Sequence, residues 1–190
     1  PMGLKTQARY GIIDNGKTAV MQMAEASGII LVKRDELDPW KASTTGVGEM
    51  IRDAIESGVR EFIIGIGGSA TTEGGIGMLK ALGYEFFDAQ GNVLPPVFES
   101  LGKVAKITGE HVMPELKDCH FRIACDVTNP LCGENGSVYV YGPQKGVKEN
   151  EKAMMDAMMA NYAGAAAAFL GEDYSEIPGT GAGGGLGFAD

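Results

Sequence analysis

The glycine-rich segment at 65–75 carries residue types that bind anions. An apolar stretch at 61–66 leads into it, hydroxyl side chains stand among its glycines, and a helical pattern begins at Ile76. A helix N-terminus offers unpaired N–H groups and a partial positive charge, and glycines let a ligand approach the backbone closely. The segment therefore predicts a phosphate or carboxylate site, although a plain connection capped by Ser and Thr remains open. The residues assigned to the anion are Gly67, Gly68, Ser69, Thr71 and Thr72.

The same segment also fits the G-x-G-x-x-G/A fingerprint of dinucleotide-binding domains. The match runs from Gly65 through Gly67 to Ala70, after a strand pattern and before a helix pattern. Asp88 ends the next strand pattern, about where an acid that binds ribose would stand. Residues 71–75 delay the helix, whereas the last position of the fingerprint normally lies inside it. A dinucleotide-binding module that uses Gly65, Gly67 and Asp88 stays an alternative.

Polar residues directly follow the apolar stretch at 119–125. Asp126 and Asn129 are expected at the carboxyl end of a strand, which is where α/β sheets bind ligands. An Asp there suits a base or a Mg²⁺ ligand, and an Asn suits the orientation of a substrate. An Asx-type turn before Pro130 accounts for both residues equally well. Lys145, in a glycine-flanked turn, suits phosphate binding or a solvated surface position.

The elements that must position these clusters alternate between strand and helix. Strand patterns span 9–14, 17–23, 61–66, 84–87, 119–125 and 137–141, and helix patterns span 45–57, 76–82 and 149–170. Asn15-Gly16 is a strong hairpin signal between the first two strands. Residues 92–118 predict a surface connection with one short element. The long helix carries a methionine-rich stripe, which favours core packing over an adaptable binding surface.

These patterns predict an α/β fold with a mixed sheet, an N-terminal β-hairpin and flanking helices. The strands at 61–66 and 119–125 are expected to be central and buried. The glycine-rich tail at 178–190 can be a linker or an ordered element, and composition does not decide between them.

Composition limits the function classes. The net charge is −9, so the basic faces that nucleic acids or anionic membranes require are not expected. No apolar stretch approaches the ~20 residues of a membrane span, and no signal peptide opens the chain. The three cysteines lack the spacing of a zinc site and are expected to be reduced packing residues. A cytoplasmic protein is therefore predicted.

Several segments taken together resemble the glycerate kinase family. GIGGSATTEGGIGMLKALG at 65–83 is similar to the family's GGSATNDGGAGMLQALG, ACDVTNPL at 124–131 to CDVTNPL, and YGPQKG at 141–146 to FGPQKG. Shorter similarities at 23–28, 44–49 and 178–187 extend the resemblance over nearly the whole chain. Glu73 stands where the family commonly has Asp.

The resemblance implies a kinase that transfers the γ-phosphoryl group of ATP to a hydroxyl of glycerate, with Mg²⁺. Asp126 and Lys145 are then expected to be catalytic, and Asp126 or Glu73 to hold the metal. The glycine segment and Asn129 are expected to bind substrate or phosphate. A non-catalytic domain that binds small anions remains a further alternative.

The resemblance also implies a domain organisation. Residues 1–190 are expected to form one domain, the inner domain of a two-domain glycerate kinase whose Rossmann-like domain is absent from this chain. The isolated piece is expected to be inactive or nearly so, and to expose the surface that faces the absent domain, through which it can self-associate.

Overall fold

Six strands divide into two sheets in the computed structural model, which describes residues 1–189. The strands are β1 (Gly11–Ile13), β2 (Thr18–Gln22), β3 (Glu61–Gly65), β4 (Glu85–Phe87), β5 (Lys106–Thr108) and β6 (His120–Ala124). The helices are α1 (Ala24–Ser27), α2 (Thr45–Glu56), α3 (Ile76–Ala81), α4 (Ser137–Tyr141), α5 (Lys152–Leu170) and α6 (Ala182–Ala189). Short 3₁₀ turns connect them at Asp14–Gly16, Ile29–Leu31, Arg34–Glu36, Phe98–Lys103, Pro114–Asp118, Pro143–Lys145 and Glu149–Glu151.

The larger sheet is mixed, as predicted, and has the order β1-β2-β3-β6. β1 and β2 pair antiparallel, whereas β2, β3 and β6 run parallel. The hairpin is confirmed, because Asn15 and Gly16 adopt left-handed φ values of 55° and 90° in the tight turn. The carboxyl ends of the three parallel strands share one edge, so the loops that follow Gln22, Gly65 and Ala124 meet there.

One face of this sheet packs on α2, and the other is largely open within residues 1–189. Met21, Phe62 and Ile64 are buried on the α2 side. On the opposite side Val20 is 37% exposed and Arg122 is exposed as well. Parallel strands are normally covered on both faces, so this uncovered face is unusual.

The prediction of a central buried strand at 119–125 is wrong. β6 lies at the edge of the sheet, and its residues alternate between exposed and half-buried. The alternation of His120, Phe121, Arg122 and Ile123 is typical of a strand with one solvated face. β3 is central, as predicted.

The buried residues form two cores. The first lies between the larger sheet and the helices α2 and α3. The second joins the β4–β5 sheet to α4 and α5, and Phe86, Phe98 and Tyr162 are among its fully buried side chains. The segment from Ala70 to Ile76 is buried throughout, and Ile76 belongs to the second core. The glycine-rich segment therefore runs through the interior.

The helix at 149–170 is confirmed, with a 3₁₀ turn before α5. Its stripe packs in the core as predicted at Met155, Met159, Tyr162 and Ala166, whereas Phe169 is 43% exposed. The described helices include none that is long and apolar enough to cross a membrane.

Two other sequence predictions are wrong. Residues 137–141 form α4 rather than a strand, because Ser137 donates its backbone N–H and its hydroxyl to the Leu131 carbonyl and starts a helical turn. A short apolar stretch of this kind does not distinguish strand from helix. The connection at 92–118 contains β5 and two 3₁₀ turns rather than one short element.

The glycine-rich tail is an ordered part of the fold. Gly183, Gly184 and Gly185 adopt consecutive left-handed conformations, with φ of 62°, 77° and 88°. The Gly184 carbonyl accepts a hydrogen bond from the Gly74 N–H, which ties the tail to the glycine-rich segment. Asp190 lies outside the described residues.

Candidate functional site

A small cavity opens at the carboxyl ends of β3 and β6. Its volume is about 140 Å³, well below the ~300–1,000 Å³ of sites for drug-sized ligands. Three loops and the start of α6 form its wall. The residues whose chemistry matters there are Gly67, Gly68, Ser69, Cys125, Asp126, Tyr141, Gln144 and Lys145.

Lys145 forms the floor of this cavity. The 3₁₀ turn at Pro143–Lys145 carries it, and the left-handed Gly146 ends that turn. The side chain is buried, and Nζ donates to Ser69 Oγ at 2.7 Å and to the Thr71 carbonyl at 2.5 Å. An ammonium group has three N–H donors, so one remains available for an anion in the cavity.

Burial disfavours the charged form of Lys145 and lowers the pKa of its ammonium group to about 7. The negative charge of Glu73 acts in the opposite direction and supports the ammonium form. Burial likewise raises the pKa of the Glu73 carboxyl to about 7. Lys145 and Glu73 are thus buried charged groups, and the charge of Glu73 influences the pKa of Lys145.

Above Lys145, the glycine-rich segment presents unpaired backbone donors. The N–H groups of Gly67, Gly68 and Ser69 make no hydrogen bond to any oxygen of residues 1–189. Gly68 is left-handed with φ of 72°, and its carbonyl accepts from the Ile29 N–H, which holds the segment in place. Successive free N–H groups beside an ammonium group form a site for an anion.

Asp126 lies at the exposed rim of the cavity and Asn129 does not line it. The Asn129 amide instead donates to the Asn135 carbonyl at 2.8 Å and accepts from the Tyr141 hydroxyl at 2.6 Å. Its backbone carbonyl accepts from the N–H groups of Gly179 and Gly181. Asn129 therefore joins the strand end, α4 and the tail.

Thr71, Thr72 and Glu73 lie behind the cavity wall and have no exposed surface. Within residues 1–189 the two Thr hydroxyls have no hydrogen-bond partner. The Glu73 carboxylate accepts from the Thr44 N–H at 3.1 Å and from the Gly77 N–H at 3.0 Å. These contacts direct Glu73 toward the starts of α2 and α3, away from the rim that Asp126 occupies.

The residues that the sequence reasoning missed in the cavity lining include Cys125, Tyr141, Gln144 and Gly183. Tyr141 and Gln144 belong to the same short motif as Lys145, and Gly183 belongs to the tail motif. Both motifs belong to the family resemblance, and this was the sequence signal that could have identified these residues as members of the site. Cys125 is exposed rather than packed, contrary to the expectation for the cysteines.

The dinucleotide alternative requires Asp88 on the strand beside β3, and the structure contradicts it. β4 pairs with β5 in the separate sheet, and β3 pairs with β2 and β6. The Asp88 carboxylate accepts hydrogen bonds from the Gln90 and Asn92 N–H groups in its own turn. Asp88 therefore does not occupy the position of the ribose-binding acid of that fingerprint.

A metal ion would find one carboxylate at this cavity. Residues 1–189 contain no group of three or more His, Cys, Asp or Glu side chains arranged to hold a metal. Asp126 is the carboxylate of the lining. Mg²⁺ commonly takes one or two carboxylates and completes its shell with water and substrate phosphates, so a single Asp fits that ion.

Comparison with known protein families gives a match over the whole chain. The family described as "Glycerate kinase family" matches residues 1–190. The glycerate 2-kinase of Escherichia coli K12 is 46% identical over 189 residues, which are 100% of this chain and 50% of that protein. The glycerate kinase of Haemophilus influenzae is 40% identical over 187 residues, which are 98% of this chain and 50% of that protein.

A solved structure agrees with the sequence matches. The crystal structure described as glycerate kinase 2 from Salmonella typhimurium LT2 superposes with a TM-score of 0.96 at 42% identity. It covers 100% of this chain and 50% of its own. The chain therefore spans about half the length of the relatives it matches.

Proposed function

The chain belongs to the glycerate kinase family, and we propose that its cavity binds glycerate in an enzyme that phosphorylates it with ATP. The observation that carries this proposal is the Lys145 ammonium group beneath the free N–H groups of Gly67, Gly68 and Ser69, with Asp126 at the rim. Phosphoryl transfer depends on positioning and charge neutralisation more than on covalent chemistry, and this arrangement supplies both.

The size of the cavity favours a small organic acid as its occupant. A volume of about 140 Å³ accommodates a three-carbon acid but not a nucleotide. We assign the glycerate carboxylate to the N–H groups of the glycine segment and to Lys145. In this arrangement the nucleotide approaches from outside the cavity, so that its terminal phosphate faces the rim.

We assign Asp126, which lines the rim of the cavity, to the hydroxyl that is phosphorylated. An exposed carboxylate at the rim can accept the hydroxyl proton as the glycerate oxygen bonds to the γ-phosphorus of ATP and the bond from that phosphorus to the departing ADP breaks. The same carboxylate can instead hold Mg²⁺. The ion, when bound, neutralises phosphate charge. The E. coli relative carries position 2 in its name, so we propose the hydroxyl at C2 as the acceptor. Glu73, buried away from the rim, is not assigned to the metal.

The remaining groups of the active site are proposed to lie outside these 190 residues. The relatives are about twice as long. We propose that their additional half corresponds to the Rossmann-like domain expected from the family resemblance, that it packs against this domain, and that it completes the nucleotide site.

Two substitutions test the assignment in a polypeptide with the length of the relatives. Lys145→Met is expected to weaken glycerate binding by about 10- to 100-fold, because a hydrogen bond to a charged group contributes ~1.5–3 kcal/mol. Asp126→Asn is expected to reduce ADP formation while glycerate still binds. Lys117→Met is the matched control, because Lys117 is exposed and precedes the opposite end of β6.

The readouts separate the candidate functions. Calorimetry measures glycerate binding, and phosphorus NMR identifies the product of a reaction with ATP and Mg²⁺. Formation of 2-phosphoglycerate supports the proposal. Binding of glycerate with no turnover in the long polypeptide would instead identify an anion-binding domain without catalysis.

A further inference from the structure

Glu73 is a buried carboxylate for which the proposed reaction has no direct use. Its exposed fraction is 0%, and an ionised carboxylate is costly to bury unless its charge is paired and hydrogen-bonded. Two backbone N–H groups contact it, and Lys145 is its charged neighbour. The residue therefore stands between the scaffold and the floor of the cavity.

The scaffold contacts are reciprocal between two helix starts. Glu73 accepts from the Thr44 N–H, which precedes α2, and from the Gly77 N–H in the first turn of α3. Thr44 Oγ1 in turn accepts from the Met78 N–H at 2.8 Å. We call these four residues, Thr44, Glu73, Gly77 and Met78, the Thr44–Glu73 clasp. It satisfies backbone donors at both helix starts that have no partner inside their own helix.

The close approach of the two helices makes the clasp possible. A Cβ atom at Gly77 would overlap Ser43 Oγ, and a Cβ atom at Gly48 would lie about 2.5 Å from the Met78 carbonyl oxygen. Glycine at both positions lets α2 and α3 approach until Thr44 and Glu73 reach across. The clasp thereby fixes the end of the segment from which Ser69 and Thr71 contact Lys145.

We propose that Glu73 is a positioning residue for the anion site: it anchors the glycine-rich segment through the clasp and places a buried carboxylate two residues beyond Thr71, whose carbonyl accepts from the buried Lys145 ammonium group. The proposal deepens the proposed function and rests on it only for the identity of the anion. The coupling between Glu73 and Lys145 can be tested without any ligand.

Titratable groups face the Glu73–Lys145 pair from α5 and from the rim of the cavity. Lys145, buried in the floor, is opposed by the Glu73 carboxylate. From α5, the Tyr162 phenol lies near Glu73, and burial followed by the Glu73 charge raises its pKa. At the rim, Asp126 and the Cys125 thiol line the same cavity.

The sign of the pH dependence follows from these groups. Anion binding requires the Lys145 proton, so affinity falls as pH rises through about 7, the pKa to which burial lowers this ammonium group. Burial raises the pKa of the Glu73 carboxyl to about 7, so its negative charge develops in the pH range where Lys145 would lose its proton. Without the Glu73 charge, Lys145 loses its proton at a lower pH. Anion binding is then lost at a lower pH as well.

The test compares Glu73→Gln with Glu73→Asp. Inorganic phosphate and glycerate serve as probes, and calorimetry measures their affinity at a series of pH values from 5.5 to 8.5. This range is wide enough to detect the shift of ~1 pH unit that a nearby charge produces. Glu73→Gln is expected to lower the midpoint of the pH profile by about one unit. Glu73→Asp keeps the charge and introduces the acid common in the family motif, so its midpoint is expected to match that of the unsubstituted protein.

Thr44→Val controls for the scaffold. It removes the hydroxyl that accepts from the Met78 N–H but leaves the Glu73 charge in place. The melting temperature of this variant is expected to fall, while the midpoint of its pH profile for anion binding stays unchanged. If Glu73→Gln behaves like Thr44→Val, losing stability or affinity while the midpoint of its pH profile stays unchanged, the charge role is refuted and Glu73 is only structural.

Carbon NMR of the unsubstituted protein keeps the proposal testable if Glu73→Gln does not fold. The Lys145 Cε and Glu73 Cδ resonances are expected to titrate over overlapping pH ranges near 7. A Lys145 titration near its ordinary value of ~10.4 would overturn the proposal, as would a Glu73 resonance that is constant from pH 5 to 9. If neither probe binds, the proposed function fails while this titration still decides the coupling.

Discussion

At the scale of single residues, the candidate site depends on side chains that hold other side chains in place. Tyr141 is an example, because its ring lines the cavity while its hydroxyl donates to the Asn129 amide oxygen. The motif that this chain resembles has Phe at the same position. The hydroxyl is therefore expected to contribute to stability rather than to the reaction.

Tyr141→Phe tests this expectation. Loss of one hydrogen bond is expected to lower the free energy of unfolding by about 1 kcal/mol, with turnover within about threefold of the original. Tyr139→Phe is the control, since Tyr139 is a half-buried neighbour on α4 whose hydroxyl makes no hydrogen bond within residues 1–189. Thermal unfolding measures the change in stability, and the rate of ADP formation in the presence of ATP and glycerate measures turnover. A tenfold or greater loss of turnover in Tyr141→Phe would assign its hydroxyl to the substrate.

The residue types of the site were predictable from sequence, and their contacts were not. The association of Gly67, Gly68, Ser69, Asp126 and Lys145 in one cavity agrees with the expectation that strand ends and glycine loops converge. Nothing in the sequence showed that Lys145 would be buried against Ser69 and Thr71. That contact joins residues more than 70 positions apart, and it depends on where α4 turns the chain.

At the scale of elements, long periodic segments were predicted well and short ones were not. α2 and α5 carry enough turns for a helical pattern to be distinct. α4 has only five residues, and Ser137 starts it through the distant contact with Leu131. β6 has the alternation of an edge strand, but its apolar residues suggested full burial. The contact of Ser137 with Leu131 decides the structure of α4, and the position of β6 at the edge of the sheet decides its exposure. Neither feature can be read from the segment alone.

The glycines of α6 give a prediction at this scale. Gly184 has φ of 77°, and a Cβ atom there would overlap the Thr71 carbonyl oxygen. Gly184→Ala is therefore expected to destabilise the fold by about 2–4 kcal/mol and to weaken anion binding. Gly164→Ala is the matched control, because Gly164 is exposed in α5 and a Cβ atom there would meet nothing within 4 Å.

Chemical denaturation measures both variants. Gly164→Ala is expected to gain about 0.5–1 kcal/mol, since Ala is the better helix former. Equal stability of Gly184→Ala and the unsubstituted protein would show that the tail does not pack against the glycine-rich segment as described.

At the scale of the whole molecule, the chain spans about half the length of the relatives it matches. In the proposed function, the cavity supplies the anion site and one rim carboxylate, and the second domain supplies the nucleotide site. Correct alignment of two reactants contributes ~7–11 kcal/mol, and a 1 Å misplacement can cost ~10²-fold. Residues 1–190 alone are therefore expected to turn over glycerate at least ~10³-fold more slowly than a polypeptide of the relatives' length.

The comparison needs folded samples of both lengths, verified by circular dichroism before the ADP assay. Similar rates from the two would place the complete machinery within the 190 residues and contradict the proposed second domain. Light scattering of the short chain is an independent measurement. Self-association is expected there, because the open sheet face leaves apolar side chains such as Val20 in contact with water.

The docking of the tail on the glycine-rich segment has a consequence for how the protein is made. Gly184 follows Gly74 by 110 positions, so a ribosome that adds ~5–20 residues per second needs roughly 5 to 20 seconds to produce it. Throughout that interval the nascent chain exposes a segment that is buried in the finished fold. The cavity is thus completed only when the tail leaves the exit tunnel of the ribosome. Chaperones can bind the exposed glycine-rich segment before that moment.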